Sequence, residues 1–100
     1  MRHRFRGKFY HVECLDTWRG RSAKNREQGY CTSPEKPNRA IVLRRKMPKR
    51  SQLANAIHEA MHACSWDLSE ETVNESSIQI AAYLKKMFHI TPNEDFWGPQ

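Results

Sequence analysis

His58, Glu59 and His62 stand in the run His-Glu-Ala-Met-His, the pattern HExxH. On a helix, residues four apart lie on one face, one turn above the other. Two imidazoles so placed can reach a single zinc ion at about 2.0–2.1 Å. Glu59 is the next residue round from His58, so its carboxylate can approach a zinc-bound water without itself binding the metal. Zinc lowers the pKa of bound water to about 7 and polarises a carbonyl under attack. A carboxylate beside it can take the proton from water and pass it to a leaving amine. Aspartate is shorter, and glutamine accepts no proton. These residue types at this spacing suit the hydrolysis of peptide bonds. The bland alternative is two helix histidines, packed or solvated, beside a surface glutamate. With five histidines and eight glutamates in the chain, an accidental HExxH has a likelihood on the order of 2%.

A catalytic zinc takes three protein ligands and leaves one position open. The extension HExxHxxGxxH is absent, because Ala63, Cys64 and Ser65 follow His62 and no histidine stands six residues on. A glutamate on a second helix is the better source. If the chain folds back around residues 66–69, the position level with the two histidines is about 75. Glu75 is therefore the expected third ligand. Glu71, one turn earlier, is the alternative or an orienting partner for a ligand histidine. Glu70 and Glu71 also suit simple charge stabilisation of a helix N-terminus, Glu70 more so.

The elements that must position these groups follow from local pattern. Residues 3–15 carry aromatic and β-branched side chains around Gly7, which predicts a strand or a hairpin turning near Gly7-Lys8. Residues 16–38, rich in Arg, Asn, Gly, Ser and Pro, read as a long loop. Residues 39–45 form a β-branched run flanked by basic residues and suit a strand at a sheet edge. Pro48 and Ser51 mark the start of a helix over about 50–65, with Leu53, Ile57, Met61 and Cys64 as its apolar stripe. The histidines then lie at the border of that stripe, where a cleft residue belongs. Asp67 and Ser69 offer caps for a second helix over about 69–88, with Val73, Ile80, Leu84, Met87 and Phe88 as its apolar face. The tail, 91–100, is expected to be irregular, with Phe96 and Trp97 packing back. The fold class is α+β: one domain over 1–100, a short antiparallel or mixed sheet packed on two antiparallel helices. Strands and a long basic loop fill 1–48, and the metal-binding helix pair fills 49–90.

LANAIHEAMHACSWDLSEETVNESSIQIAAYL (53–84) resembles the small HExxH proteins of phages and bacteria grouped as SprT-like or minimal gluzincin domains. The shared features are an apolar helix carrying HExxH, a short turn with Trp and Asp, and a Glu-rich second helix. GYCTSPEKPNRAIVL (29–43) is similar to the Gly-x-Cys-then-proline stretch and following strand upstream in such proteins. Together these cover about half of the chain. The resemblance implies a zincin-like fold, a zinc cofactor and a peptide or protein substrate. It also implies an edge strand before the metal helix, Ala40 to Leu43, that pairs with extended substrate.

Charge is unevenly placed. Residues 1–50 hold 15 Lys/Arg against 4 Asp/Glu, a balance of +11, and residues 51–100 hold 2 against 7, a balance of −5. A basic front half attracts nucleic acid, an acidic protein or an acidic peptide, or serves only solubility. No known nucleic-acid motif accompanies it. The rival to hydrolysis is thus a nucleic-acid- or host-protein-binding module with a structural zinc. The three cysteines, Cys14, Cys31 and Cys64, form no CxxC, which argues against a disulfide framework and for a reducing cytoplasm. No signal peptide or membrane span is expected. His3, His11, His89, Tyr30 and Tyr83 can contact substrate or an oxyanion, but packing or solvation is their usual role. Trp18 and Trp66 read as packing groups.

Overall fold

The computed structural model describes residues 1–16 and 29–98. Its elements are β1 (Arg2–Phe5), β2 (Lys8–Leu15), β3 (Gly29–Cys31), β4 (Ala40–Arg44), α1 (Lys49–Cys64), α2 (Glu70–Met87) and the short α3 (Glu94–Trp97). The architecture is α+β, a four-stranded mixed sheet with two long helices and one short one. Trp18 and most of the expected long loop lie outside the described residues.

The expected hairpin is present. β1 and β2 are antiparallel, with Phe5 opposite Lys8. The two residues between them, Arg6 at φ 49° and Gly7 at φ 80°, both take positive φ. Two such residues in succession match the strand twist, which is why glycine suits the second position. β2 alternates, with Tyr10 and Val12 buried and Phe9 and His11 exposed. One face of this ribbon therefore meets the core and the other meets solvent.

β4 does not alternate. Ile41, Val42 and Leu43 are all buried in succession. A run covered on both faces belongs inside a sheet. The sheet order is β1-β2-β4-β3, with β4 parallel to β2 and antiparallel to β3. The expectation that 39–45, and Ala40 to Leu43 within it, form an edge strand is therefore corrected. The edge beside β4 is β3, three residues inside the segment read as loop. Its brevity and its glycine hid it from a pattern search.

α1 lies between the sheet and α2. Its deepest residues are Gln52, Glu59 and Ala63. Leu53, Ile57, Met61 and Cys64 are only half-buried, so the expected apolar stripe is not the face that meets the sheet. A helix covered on two sides has no single buried stripe for periodicity to find. Arg6 donates from its guanidinium to the Cys64 carbonyl at 3.0 Å, setting a cation at the C-terminal end of α1.

α2 begins where the cap predicts. The Ser69 hydroxyl accepts from the Thr72 backbone N–H at 3.1 Å. The residues α2 buries are Val73, Ser77 and Ala81. Small side chains at 77 and 81 let the two helices approach closely. Ile80, Met87 and Phe88, expected on the buried face, are exposed. Lys85 Nζ donates to the Arg50 carbonyl at 2.7 Å, tying the end of α2 to the start of α1. The helix pair is thus antiparallel, as expected. The tail is not wholly irregular. Asn93 caps α3, and Trp97 joins Tyr10, Val12, Ile41 and Leu43 in the core. Among the described residues, no helix is long and apolar enough to cross a membrane.

Candidate metal centre

His58 and His62 stand one turn apart on α1, their ring centroids 4.9 Å from each other. Both side chains are about six-sevenths buried, at 15% and 14% exposure. Their Nε2 atoms converge on one carboxylate. Glu70 Oε1 lies 2.7 Å from His58 Nε2, and Glu70 Oε2 lies 2.9 Å from His62 Nε2. Potential ligand atoms of His58, Glu59 and His62 lie within 4.8 Å of one another, a grouping able to hold a metal ion. Two imidazole nitrogens and carboxylate oxygens are the donor set that zinc prefers in open sites.

Glu70 reaches the histidines because it opens α2 directly after the turn. Counting about 100° per residue, Val73, Ser77 and Ala81, the buried face of α2, centre on the direction of Glu70. Glu75 points roughly 140° away on that wheel. It is exposed and absent from the cleft lining. The structure thus brings Glu70, not Glu75, to the histidines, and Glu71 is likewise exposed and outside the cleft. The mirror reckoning from the turn set the level along the helix but not the rotation about it. The signal for the rotation was in the sequence. Ser69 as cap fixes where α2 starts, and the spacing of Val73, Ser77 and Ala81 fixes its inward face.

Glu59 is 5% exposed and points between α1 and the sheet edge. Gly29 on β3 makes room for it. A β-carbon on Gly29 would lie 3.1 Å from Glu59 Oε2 and 2.8 Å from the Val42 carbonyl oxygen. The second separation is shorter than real β-carbons show, so position 29 admits only glycine without movement. Gly29 escaped the sequence reading as a site residue, although it opens the Gly-Tyr-Cys run quoted above.

Cys31, two residues on, faces the same buried space. Burial first, then the neighbouring Glu59 carboxylate and Cys64, push its thiol up to about 12. The Tyr10 phenol is also raised, by burial first and then by Cys31. Cys14, Cys31 and Cys64 are all free thiols. None of them joins the grouping of ligand atoms at the two histidines.

These groups line a cleft of about 660 Å³, walled by Gly29, Tyr30 and Cys31 on one side and by Trp66, Leu68 and Asn74 on another. Tyr30 is thus at the cleft, whereas Tyr83, His3, His11 and His89 are not among its lining residues. His3 packs edge-on to Phe5, and His11 lies 3.5 Å from Glu13. Trp66 packs edge-on to His62, with centroids 6.0 Å apart. Comparison with protein-family models, curated proteins and solved structures finds no match for this chain.

Proposed function

We propose that the protein is a minimal zincin-like peptidase of the SprT-like or gluzincin kind, using zinc held by His58, His62 and Glu70. The observation that carries this reading is the convergence of both imidazole Nε2 atoms on the Glu70 carboxylate, beside a buried Glu59. When bound, zinc supplies Lewis acidity toward water and the peptide carbonyl. The chain's own residues do the rest. Glu59 holds and moves the proton, from water to the departing amine, at a carboxylate shielded from bulk solvent. His62 is held by its edge contact with Trp66, and Glu70 fixes the azimuth of both rings.

The edge strand that an extended substrate would join is β3, since β4 is already paired on both sides. A peptide laid along Gly29–Cys31 gains main-chain hydrogen bonds and runs past Glu59. Gly29, without a side chain, leaves that approach open.

Metal analysis and peptide hydrolysis on purified variants test the reading together. One zinc per chain is expected in the wild type, in Glu59→Gln and in Glu75→Ala. His58→Ala and Glu70→Ala are expected to lose it. Cleavage of an unstructured fluorogenic peptide mixture is expected only where zinc is retained and Glu59 is intact. A folded wild type that takes up no ion, or a Glu59→Gln protein as active as wild type, overturns the proposal.

A further inference from the structure

The outer face of the β1–β2 hairpin carries an arrangement that the metal site does not use. Arg2 stands opposite His11 and Arg4 opposite Phe9. Cross-strand partners and alternate residues share a face, so Arg2, Arg4, Phe9 and His11 all project on the side away from the core residues Tyr10 and Val12. All four are exposed, Phe9 at 41%. The guanidinium carbons of Arg2 and Arg4 lie 4.3 and 4.6 Å from the centroid of the Phe9 ring. Arg39, at the entry to β4, belongs to the other face: its guanidinium carbon lies 5.8 Å from the Tyr10 ring centroid, and its Nε donates to the Phe9 carbonyl at 3.2 Å. Among the described residues, neither Arg2 nor Arg4 forms an ion pair with a carboxylate.

We propose that this face binds single-stranded nucleic acid, with bases stacking on the Arg2–Phe9–Arg4 layer and phosphates taken by the Arg2 and Arg4 guanidinium groups. A flat, half-open sheet with an aromatic ring and arginine planes is a stacking platform for unpaired bases. Arginine suits phosphate because its planar fork pairs with two oxygens at once. An acidic polypeptide would answer the charge but has no use for the ring and its stacked guanidinium planes. β1 is the sheet edge opposite β3, so three strand spacings, roughly 14 Å, separate the two edges. A bound strand would therefore lie across the sheet from the metal cleft and leave it open. The inference is independent of whether that cleft hydrolyses anything.

Anisotropy of labelled 20-nucleotide oligo-dT and oligo-U, at 50 and 200 mM salt, tests the face and separates DNA from RNA. With two phosphate contacts the affinity should fall about sevenfold between those salt concentrations. Arg2→Ala with Arg4→Ala should remove most of that dependence. Phe9→Leu, which keeps an apolar side chain but no ring, should weaken binding about fivefold or more. The charge-matched pair Lys49→Ala with Lys86→Ala, on the helices, should weaken binding by less than about twofold. Circular dichroism confirms that each variant is folded. Binding of either strand with this pattern supports the proposal, and the tighter arm names the source. It is overturned if the wild type binds neither strand, or if the two double variants weaken equally. Tighter binding of a 20-base-pair duplex, or equal binding of poly-glutamate, overturns it as well.

Discussion

Gln52 and Glu59 stand seven residues apart on one face of α1, both buried, at 2% and 5% exposure. Helix geometry treats them alike, and their surroundings do not. Glu59 has the two imidazoles one step round the helix and a strand whose glycine leaves room for its carboxylate. Gln52 sits against Leu53, Ala56 and Trp97 beside a cavity of about 150 Å³, and neither atom of its amide finds a partner. A buried polar side chain therefore does not mark a site by itself. What distinguishes Glu59 is that other elements, β3 and α2, are shaped around it.

Four measurements press on that difference. The largest effect belongs to Glu59→Gln. Peptide hydrolysis should fall by about 10²–10⁴-fold, the usual contribution of a positioned general base. Zinc content and melting temperature should stay near wild type, and a large loss of stability instead would make Glu59 structural like its neighbour. Gly29→Ala comes next. Its new methyl meets the Val42 carbonyl, and the strain should cost about 1–3 kcal/mol in chemical denaturation, with activity falling too. An unchanged midpoint would mean that β3 is not held as described.

Gln52→Leu should act in the opposite direction. Replacing an unpaired amide by an apolar group of similar size should raise stability by about 1 kcal/mol. Zinc uptake should not change, and a loss of zinc would show that the two positions are coupled. The effect that is smallest at neutral pH is a pH dependence, which develops only in alkali. The folded state holds the Cys31 thiol up to about 12, against an ordinary value of 9.0. Above pH 9 the unfolded chain gives up this proton while the folded chain keeps it, so stability falls as pH rises from about 9 to about 12. Cys31→Ala should flatten that decline, as followed by urea midpoints across the range.

Much of the fold was legible from local pattern. The hairpin at Gly7, both long helices, the Ser69 cap and the return of Trp97 to the core depend on residues close in sequence. The juxtaposition of His58 and His62 is equally legible, because HExxH is a one-turn relation. The errors came where distant segments decide. Ile41, Val42 and Leu43 are buried in succession because β2 and β3 flank them, and a run of three apolar residues does not name its neighbours. Gly29–Cys31 is a strand only because β4 pairs with it. Ile80 and Met87 satisfy helical spacing yet stay exposed, since α2 meets α1 along Val73, Ser77 and Ala81. Glu75 stands at the right level along the helix, and the azimuth that favours Glu70 requires a phase as well as a count.

The parallel pairing of β2 with β4 has a consequence in time. His58, His62 and Glu70 belong to one short stretch joined by a single turn, so a folding chain can bring them together early. The pairing of β2 with β4 must wait for residues far apart in the chain to meet, Val12 with Ile41 for one, the slower kind of event. His58, His62 and Glu70 would then gather before the sheet is complete. Pulse-labelled hydrogen exchange should find the amides of the helix pair protected first and those joining β2 to β4, the His11 N–H among them, afterwards.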